Sequence, residues 1–234
     1  MLKIYIITPF PDLIAPVLMQ SMLKKSVERN KVEYNIINLF DFLDDDSRID
    51  DYPYGGGEGM IMKAKPIFDA FNSLQLDNPR VLFPTPDGKL FNQKIAFNLS
   101  EEQEIVFICG HYKGIDQRIR DTIITDEISI GDYVLTNGEI PSLVIIDSIM
   151  RLIPGVLNDY KSAEKDSFSE ELLDGPHYTR PREYDGLKVP DILLSGDHNK
   201  IKKWFLNERI KKTSKRRKDL FDKYKSENSG DKHE

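Results

Sequence analysis

"EIVFICG", residues 104–110, holds five consecutive apolar residues, Ile105 to Cys109, closed by a glycine. Nothing in it alternates, so a strand made from it has apolar neighbours on both faces, as in the middle of a parallel sheet covered by helices. "RVLFPT" (Arg80–Thr85) has the same texture and stops at Pro-Thr, and a helical stretch from Asn92 to Ser100 separates the two. Upstream, "KIYIITPF" (Lys3–Phe10) reads as an opening strand, a helical segment follows over about Leu13–Glu28, and "VEYNIINL" (Val32–Leu39) reads as another strand. Downstream, "EISIGDYVLTNGEIPSL" (Glu127–Leu143) predicts a short strand, a loop, and Pro141 at the first position of a helix reaching about Ile153. That helix, "PSLVIIDSIMRLI", is apolar on nearly every face, so it is expected inside the core or against a second subunit. The alternation predicts an α/β fold with a parallel sheet.

Composition bounds the rest. At 234 residues and 39% hydrophobic, the chain can bury one substantial core and a small second one. A single cysteine, Cys109, excludes an intramolecular disulfide framework and cannot alone make a zinc site. No N-terminal signal sequence or long apolar span is visible, so a cytoplasmic protein without a membrane partner is expected. Formal net charge is −6, yet Lys200–Lys225 holds twelve Lys or Arg against Glu208, Asp219 and Asp222. A basic block on an acidic remainder suggests a polyanion partner.

After Pro154 and Gly155 the texture changes. "NDYKSAEKDSF" (Asn158–Phe168) is polar and aperiodic, which divides the chain into an α/β domain at 1–157, a linker at 158–172 and a small helical, basic domain at 173–234. In the last of these, His198–Leu206 has helical spacing with Ile201, Trp204 and Phe205 on one side, and "SENSGDKHE" at the end has a disordered composition.

"DDYPYGGGEGM" (Asp50–Met60) places four glycines in five positions. Such a cluster means positive φ angles or close approach of another group to the main chain. Phosphate is the first thought, but the spacing fits neither G-x-x-x-x-G-K-[ST] nor G-x-G-x-x-G, since Met60 stands where the first wants lysine or the second glycine. A flexible surface loop is the plain alternative.

This loop and five further runs, "CGHYKGID", "ISIGDYVLTNGE", "RLIPGVL", "DSFSEELLDGPHYTRP" and "LLSGDHNKI", occur in the order and spacing of the bacterial tRNA (guanine-N1)-methyltransferase family, which the chain closely resembles from about Ile4 to Phe205. The resemblance implies a SPOUT-type α/β domain with a deep C-terminal trefoil knot that binds S-adenosylmethionine. It also implies a homodimer with active sites shared at the interface, and methylation of N1 of guanine at position 37 of tRNA.

The implied chemistry needs a base for the N1 proton, a positive group for charge growing on O6, and alignment of the two reactants. By the resemblance, Asp166 in "DSF" is the general base and Arg151 in "RLIPGVL" stabilises O6. Read from the residues alone, Asp166 is a solvated linker residue and Arg151 pairs with Asp147 four positions back. Family cofactor positions fall on Thr85, Pro86, Gly110, Ser129, Ile130, Gly131, Tyr133, Leu135, Gly138 and Pro141. They lie in three segments that each follow a predicted strand, where α/β folds bind ligands, although ordinary tight turns would explain any one of them. For the target guanosine and tRNA the match indicates Tyr54, Gly55 and Gly59 of the glycine loop, whose backbone would lie against a planar base with Tyr52 and Tyr54 stacking, together with His177 and Arg180 of "PHYTRP". A lone histidine without spaced partners does not indicate metal.

Two positions depart from the common family form. Lys113 stands where many members carry glutamate, so if that glutamate serves Mg2+, Asp116 or Glu139 must replace it here; Asn137 replaces a glycine, a mild change if the backbone there is left-handed. No metal ligand is assigned. The basic C-terminal block, with Trp204, Phe205, Phe221 and Tyr224 interleaved, is expected to meet tRNA phosphates, although a lysine-rich helix is often only a solvated face. Two other classes keep part of the pattern. A non-catalytic RNA-binding protein needs no Asp166 or cofactor loops, and a nicotinamide-dependent oxidoreductase should show a dinucleotide fingerprint, which is absent.

Overall fold

The computed structural model of the chain describes residues 1–44, 47–157, 166–168 and 170–229. The chain divides into two compact units, residues 1–160 and 161–234.

The first unit runs β1 (Leu2–Thr8), α1 (Pro11–Leu18), α2 (Ser21–Glu28), β2 (Val32–Asn38), β3 (Asp50–Asp51), β4 (Ile61–Met62), α3 (Ala64–Ser73), β5 (Arg80–Leu90), α4 (Gln93–Ser100), β6 (Glu104–Ile108), α5 (Gln117–Thr122), β7 (Asp126–Ser129) and α6 (Glu139–Met150). Five strands form one sheet in the order β2-β1-β6-β5-β7, and every pairing is parallel. β6, built from the stretch quoted first, lies at its centre. Its apolar run is continuous because each face feeds a different core: Ile105, Phe107 and Cys109 pack on one side with Ile4, Ile6 and Leu82, while Val106 and Ile108 pack on the other with Ile7, Val81 and Phe83. Helices α1, α2, α4 and α6 cover the first face through Ile14, Leu23, Leu99 and Ile146, and α3 and α5 cover the second through Ile67 and Ile119. The parallel, doubly covered sheet is therefore as expected.

Several boundaries differ. The single helical segment expected over Leu13–Glu28 is two helices, because Pro16 removes one backbone donor from α1 and Ser21 turns the chain with φ of 47°. β5 continues through "PDGK" to Leu90 instead of ending at Thr85. α6 starts at Glu139, two residues before Pro141, which is tolerated because the first-turn N–H groups have no partner within the helix anyway. It ends at Met150, with Leu152 and Ile153 continuing in turns.

The second unit holds β8 (Glu183–Tyr184) paired antiparallel with β9 (Leu187–Lys188), then α7 (Asp191–Leu194), α8 (His198–Arg216) and α9 (Lys218–Ser229). Most of the expected linker, residues 158–165, lies outside the described residues. Its end is packed: Leu172 is fully buried, Phe168 N donates to Leu172 O at 3.0 Å, and Leu173 N donates to the hydroxyl of Thr213 on α8 at 2.9 Å. α8 extends ten residues past Leu206, and α9 continues into the tail expected to be disordered. Among the described residues no helix is long and apolar enough to cross a membrane.

Candidate functional site

At the carboxyl ends of β5, β6 and β7 the first unit opens into a pocket of about 330 Å³, within the usual range for a small-molecule site. Thr85 and Pro86 of β5, Gly110 after β6, Ser129, Ile130, Gly131, Tyr133 and Leu135 around the end of β7, and Gly138 and Pro141 at the start of α6 all line it. All the residues singled out as cofactor positions thus share one cavity, though they span 57 positions of sequence, from 85 to 141 counted inclusively.

Local geometry explains why the loops converge. Gly138 N donates to Gly110 O at 2.8 Å, and a Cβ on Gly138 would lie 2.7 Å from Gly110 N and 2.8 Å from Cys109 Cα. Any side chain there would push the end of β6 away from α6. One residue earlier, Asn137 bridges antiparallel to His111 and is not among the residues with left-handed backbone, contrary to the reason given for its mildness. Its Oδ1 is buried without a hydrogen-bond partner among the described residues.

Beneath the pocket lies a group that sequence reasoning did not assemble. Glu139 is fully buried, accepts from Thr8 Oγ1 at 2.5 Å, and has both carboxylate oxygens 2.9 Å from His111 Nε2. This joins β1, the turn after β6 and the N-terminus of α6, where a negative charge is favoured by the helix dipole. The pairs are separated by 131 and 28 residues, so no local spacing could reveal them. Burial, with the nearby Glu139 charge adding to it, pushes the Cys109 thiol well above its ordinary value, which makes it an unreactive core residue.

Those contacts also bear on metal. Of the two carboxylates named as substitutes, Glu139 is buried against Thr8 and His111, and Asp116 pairs with Arg118 at 2.7 Å and 2.8 Å near the surface. Among the described residues no group of three His, Cys, Asp or Glu side chains could hold an ion. No step is routed through Mg2+.

The glycine loop connects β3 to β4, and Gly55, Gly56, Gly57 and Gly59 all have positive φ. Its far limb is stitched to the pocket wall: Lys113 N donates to Met60 O at 3.1 Å, Met62 N to Gly114 O at 3.0 Å, and the Lys113 side chain lies over Gly59. Lys113 itself lines the pocket, whereas Tyr54 and Gly55 stand fully in solvent at the tip, outside its lining.

Arg151 caps the C-terminal end of α6, half-buried, in the first unit; Asp166 is half-buried in the second. His177 and Arg180 also belong to the second unit. His177 pairs with Asp174 at 2.7 Å and packs against Phe205, and Arg180 is exposed. Among the cations of α8, Lys202, Lys203, Lys215 and Arg216 have no ion pair among the described residues, whereas Lys200 is bound to Asp197 and Arg209 to Glu170.

The wall at Thr85 carries a pH signature. Hydrogen bonds from Thr85 and Arg120 hold the Asp87 carboxyl below its ordinary value. A carboxyl lowered by folding adds stability above its unfolded value of about 3.9 and loses it as pH falls through the folded value. Thermal melts should therefore show no Asp87 contribution to pH dependence at neutral pH, and Asp87→Asn should flatten the decline of Tm below about pH 4.

Comparison with known proteins places these features. The family described as tRNA (Guanine-1)-methyltransferase TrmD matches residues 2–223. Proteins named tRNA (guanine-N(1)-)-methyltransferase are similar along nearly their whole length: that of Clostridioides difficile (strain 630) is 49% identical over 95% of this chain and 98% of its own. That of Dictyoglomus turgidum is 50% identical over 95% and 91%, and that of Bacillus pumilus 49% over 96% and 94%.

Proposed function

Because the chain belongs to the tRNA (guanine-1)-methyltransferase family, and is a tRNA (guanine-N1)-methyltransferase drawing its methyl group from S-adenosylmethionine, we propose that the pocket of the first unit is the donor site and that the methyl goes to guanine at position 37. One observation carries this reading: three segments far apart in sequence converge on a single cavity at the carboxyl ends of parallel strands, where α/β folds take their ligands. Family membership sets aside the nicotinamide oxidoreductase and the non-catalytic RNA-binding readings.

In this reading Asp166 removes the N1 proton, and Arg151, planar and always charged, stabilises the negative charge developing on O6. Tyr54, Gly55 and Gly59 meet the target base, His177 and Arg180 contact the RNA, and the unpaired lysines and arginine of α8 bind phosphates. The first unit carries the deep C-terminal trefoil knot of a SPOUT-type domain, and the protein acts in the cytoplasm as a homodimer. The test is methyl transfer from labelled donor to tRNA transcripts with guanine or adenine at position 37. Transfer only to the former is expected, and equal transfer to both would remove the position and base assignment.

The dimer has its own support. α1 packs against α6, and together they leave Leu13, Val17, Ile140 and Val144 exposed, an apolar surface of the kind that marks an interface. Sedimentation at micromolar concentration should give twice 27.0 kDa, and Val144→Asp should shift it to monomer with loss of activity. A monomer at that concentration in the unaltered protein would refute shared active sites.

A further inference from the structure

We infer that Arg120, which does not line the pocket, is a positioning residue that holds the Phe83–Thr85 wall in place for the methyl donor; the inference rests on the pocket being the donor site. The register of β5 is interrupted beside β7. Pro84 and Lys89 both align with Ile128 of β7, so Thr85 to Gly88 leave the ladder and return to it at the same point. That excursion carries Thr85 and Pro86 into the pocket. A four-residue departure from a parallel ladder gives up backbone pairing, so something outside the ladder must fix where it sits.

Two features do so. Gly88 brings the return limb so close to β7 that a Cβ would lie 2.5 Å from Glu127 C and Ile128 N. Arg120, on α5, then clamps the two strands: its Nη2 donates to Asp87 at 2.8 Å, and its Nε and Nη2 donate to the two oxygens of Glu127 at 2.7 Å and 2.6 Å. Asp87 in turn accepts from the hydroxyl of Thr85. The same guanidinium lies 5.5 Å from the centre of the Phe83 ring, and Phe83 abuts Gly110, where a Cβ would meet it at 2.7 Å. One arginine therefore reaches three pocket residues, Thr85 through Asp87, Phe83 directly and Gly110 through Phe83.

Charge makes the clamp directional. Asp87 and Glu127 share one guanidinium, so removing it leaves two carboxylates facing each other and drives the excursion away from β7. Lysine keeps the charge but not the fork that serves two carboxylates at once.

The experiment measures donor affinity by calorimetry with S-adenosylhomocysteine, alongside steady-state kinetics, on the full-length protein. Arg120→Leu is expected to raise both Kd for that ligand and KM for the donor about tenfold, with kcat at saturating donor and KM for tRNA within twofold. Arg120→Lys should fall between the two. Adding Asp87→Asn and Glu127→Gln to Arg120→Leu removes the repulsion but not the missing guanidinium, so it should recover only part of the loss and leave donor affinity about threefold below that of the unaltered protein. A folded Arg120→Leu with unchanged donor affinity, or full recovery in the triple variant, overturns the clamp. If Arg120→Leu does not fold, Asp87→Asn on the exposed excursion carries the test: a threefold or greater loss of donor affinity supports the clamp, and no loss overturns it. Leu135→Trp separates this from the reading beneath it. If filling the pocket leaves donor binding intact, the donor-site assignment fails; if it abolishes binding while Arg120→Leu does not weaken it, only the clamp fails.

Discussion

Asp166→Asn should cut methyl transfer by a factor of one hundred or more while leaving donor affinity within twofold. General-base catalysis contributes roughly 10²–10⁴-fold, or about 3–5 kcal/mol of barrier, and the amide is nearly isosteric but cannot accept the N1 proton. Donor affinity should be spared because Asp166 belongs to the second unit, whereas the pocket is built wholly from the first. A free aspartate is a weak base for a guanine imide, so it needs a desolvated, hydrogen-bonded setting in the closed complex to act. Single-turnover transfer with saturating tRNA and donor checks this, with calorimetry on the donor as the control. Full activity in Asp166→Asn would remove the base while leaving the family membership intact, and stabilisation of O6 by Arg151 would then have to carry the reaction.

The second large effect concerns RNA. Replacing Lys202, Lys203, Lys215 and Arg216 together with glutamine should weaken tRNA binding about a hundredfold at physiological salt and reduce the magnitude of the log-affinity against log-salt slope by about three. These four have no ion pair among the described residues, so their charge is not already spent within the protein, unlike that of Lys200 or Arg209. Donor binding should not change. Filter binding across a salt series measures the slope, and an unchanged slope would show that α8 is a solvated face with no phosphate contacts.

Much of the fold was legible because it depends on short-range pattern. The apolar runs at Glu104–Ile108 and Arg80–Phe83 read as doubly covered strands, and they are the sheet's centre and its neighbour. The loops carrying the pocket were legible through the family resemblance, since a turn after a strand alone would not single them out. Boundaries were less so: Pro141 suggested a helix start two residues late, since proline fits several first-turn positions equally well. "PDGK" read as a loop because nothing local shows that β7 takes up Lys89 and Leu90 after the excursion.

The order of residues alone carried the layered α/β architecture, the basic C-terminal block and, through six ordered motifs, the family. Those are carried by periodicity, composition and spacing, which act within a few residues or add up along the chain. Which side chains meet was settled in three dimensions. Folding closed Glu139 onto Thr8 and His111, made Gly138 a point of backbone contact with Gly110, and set Arg120 between Asp87 and Glu127. These contacts join separate strands and helices, and charge and steric exclusion at 2.5–3 Å depend on distances in space that separation along the chain does not encode.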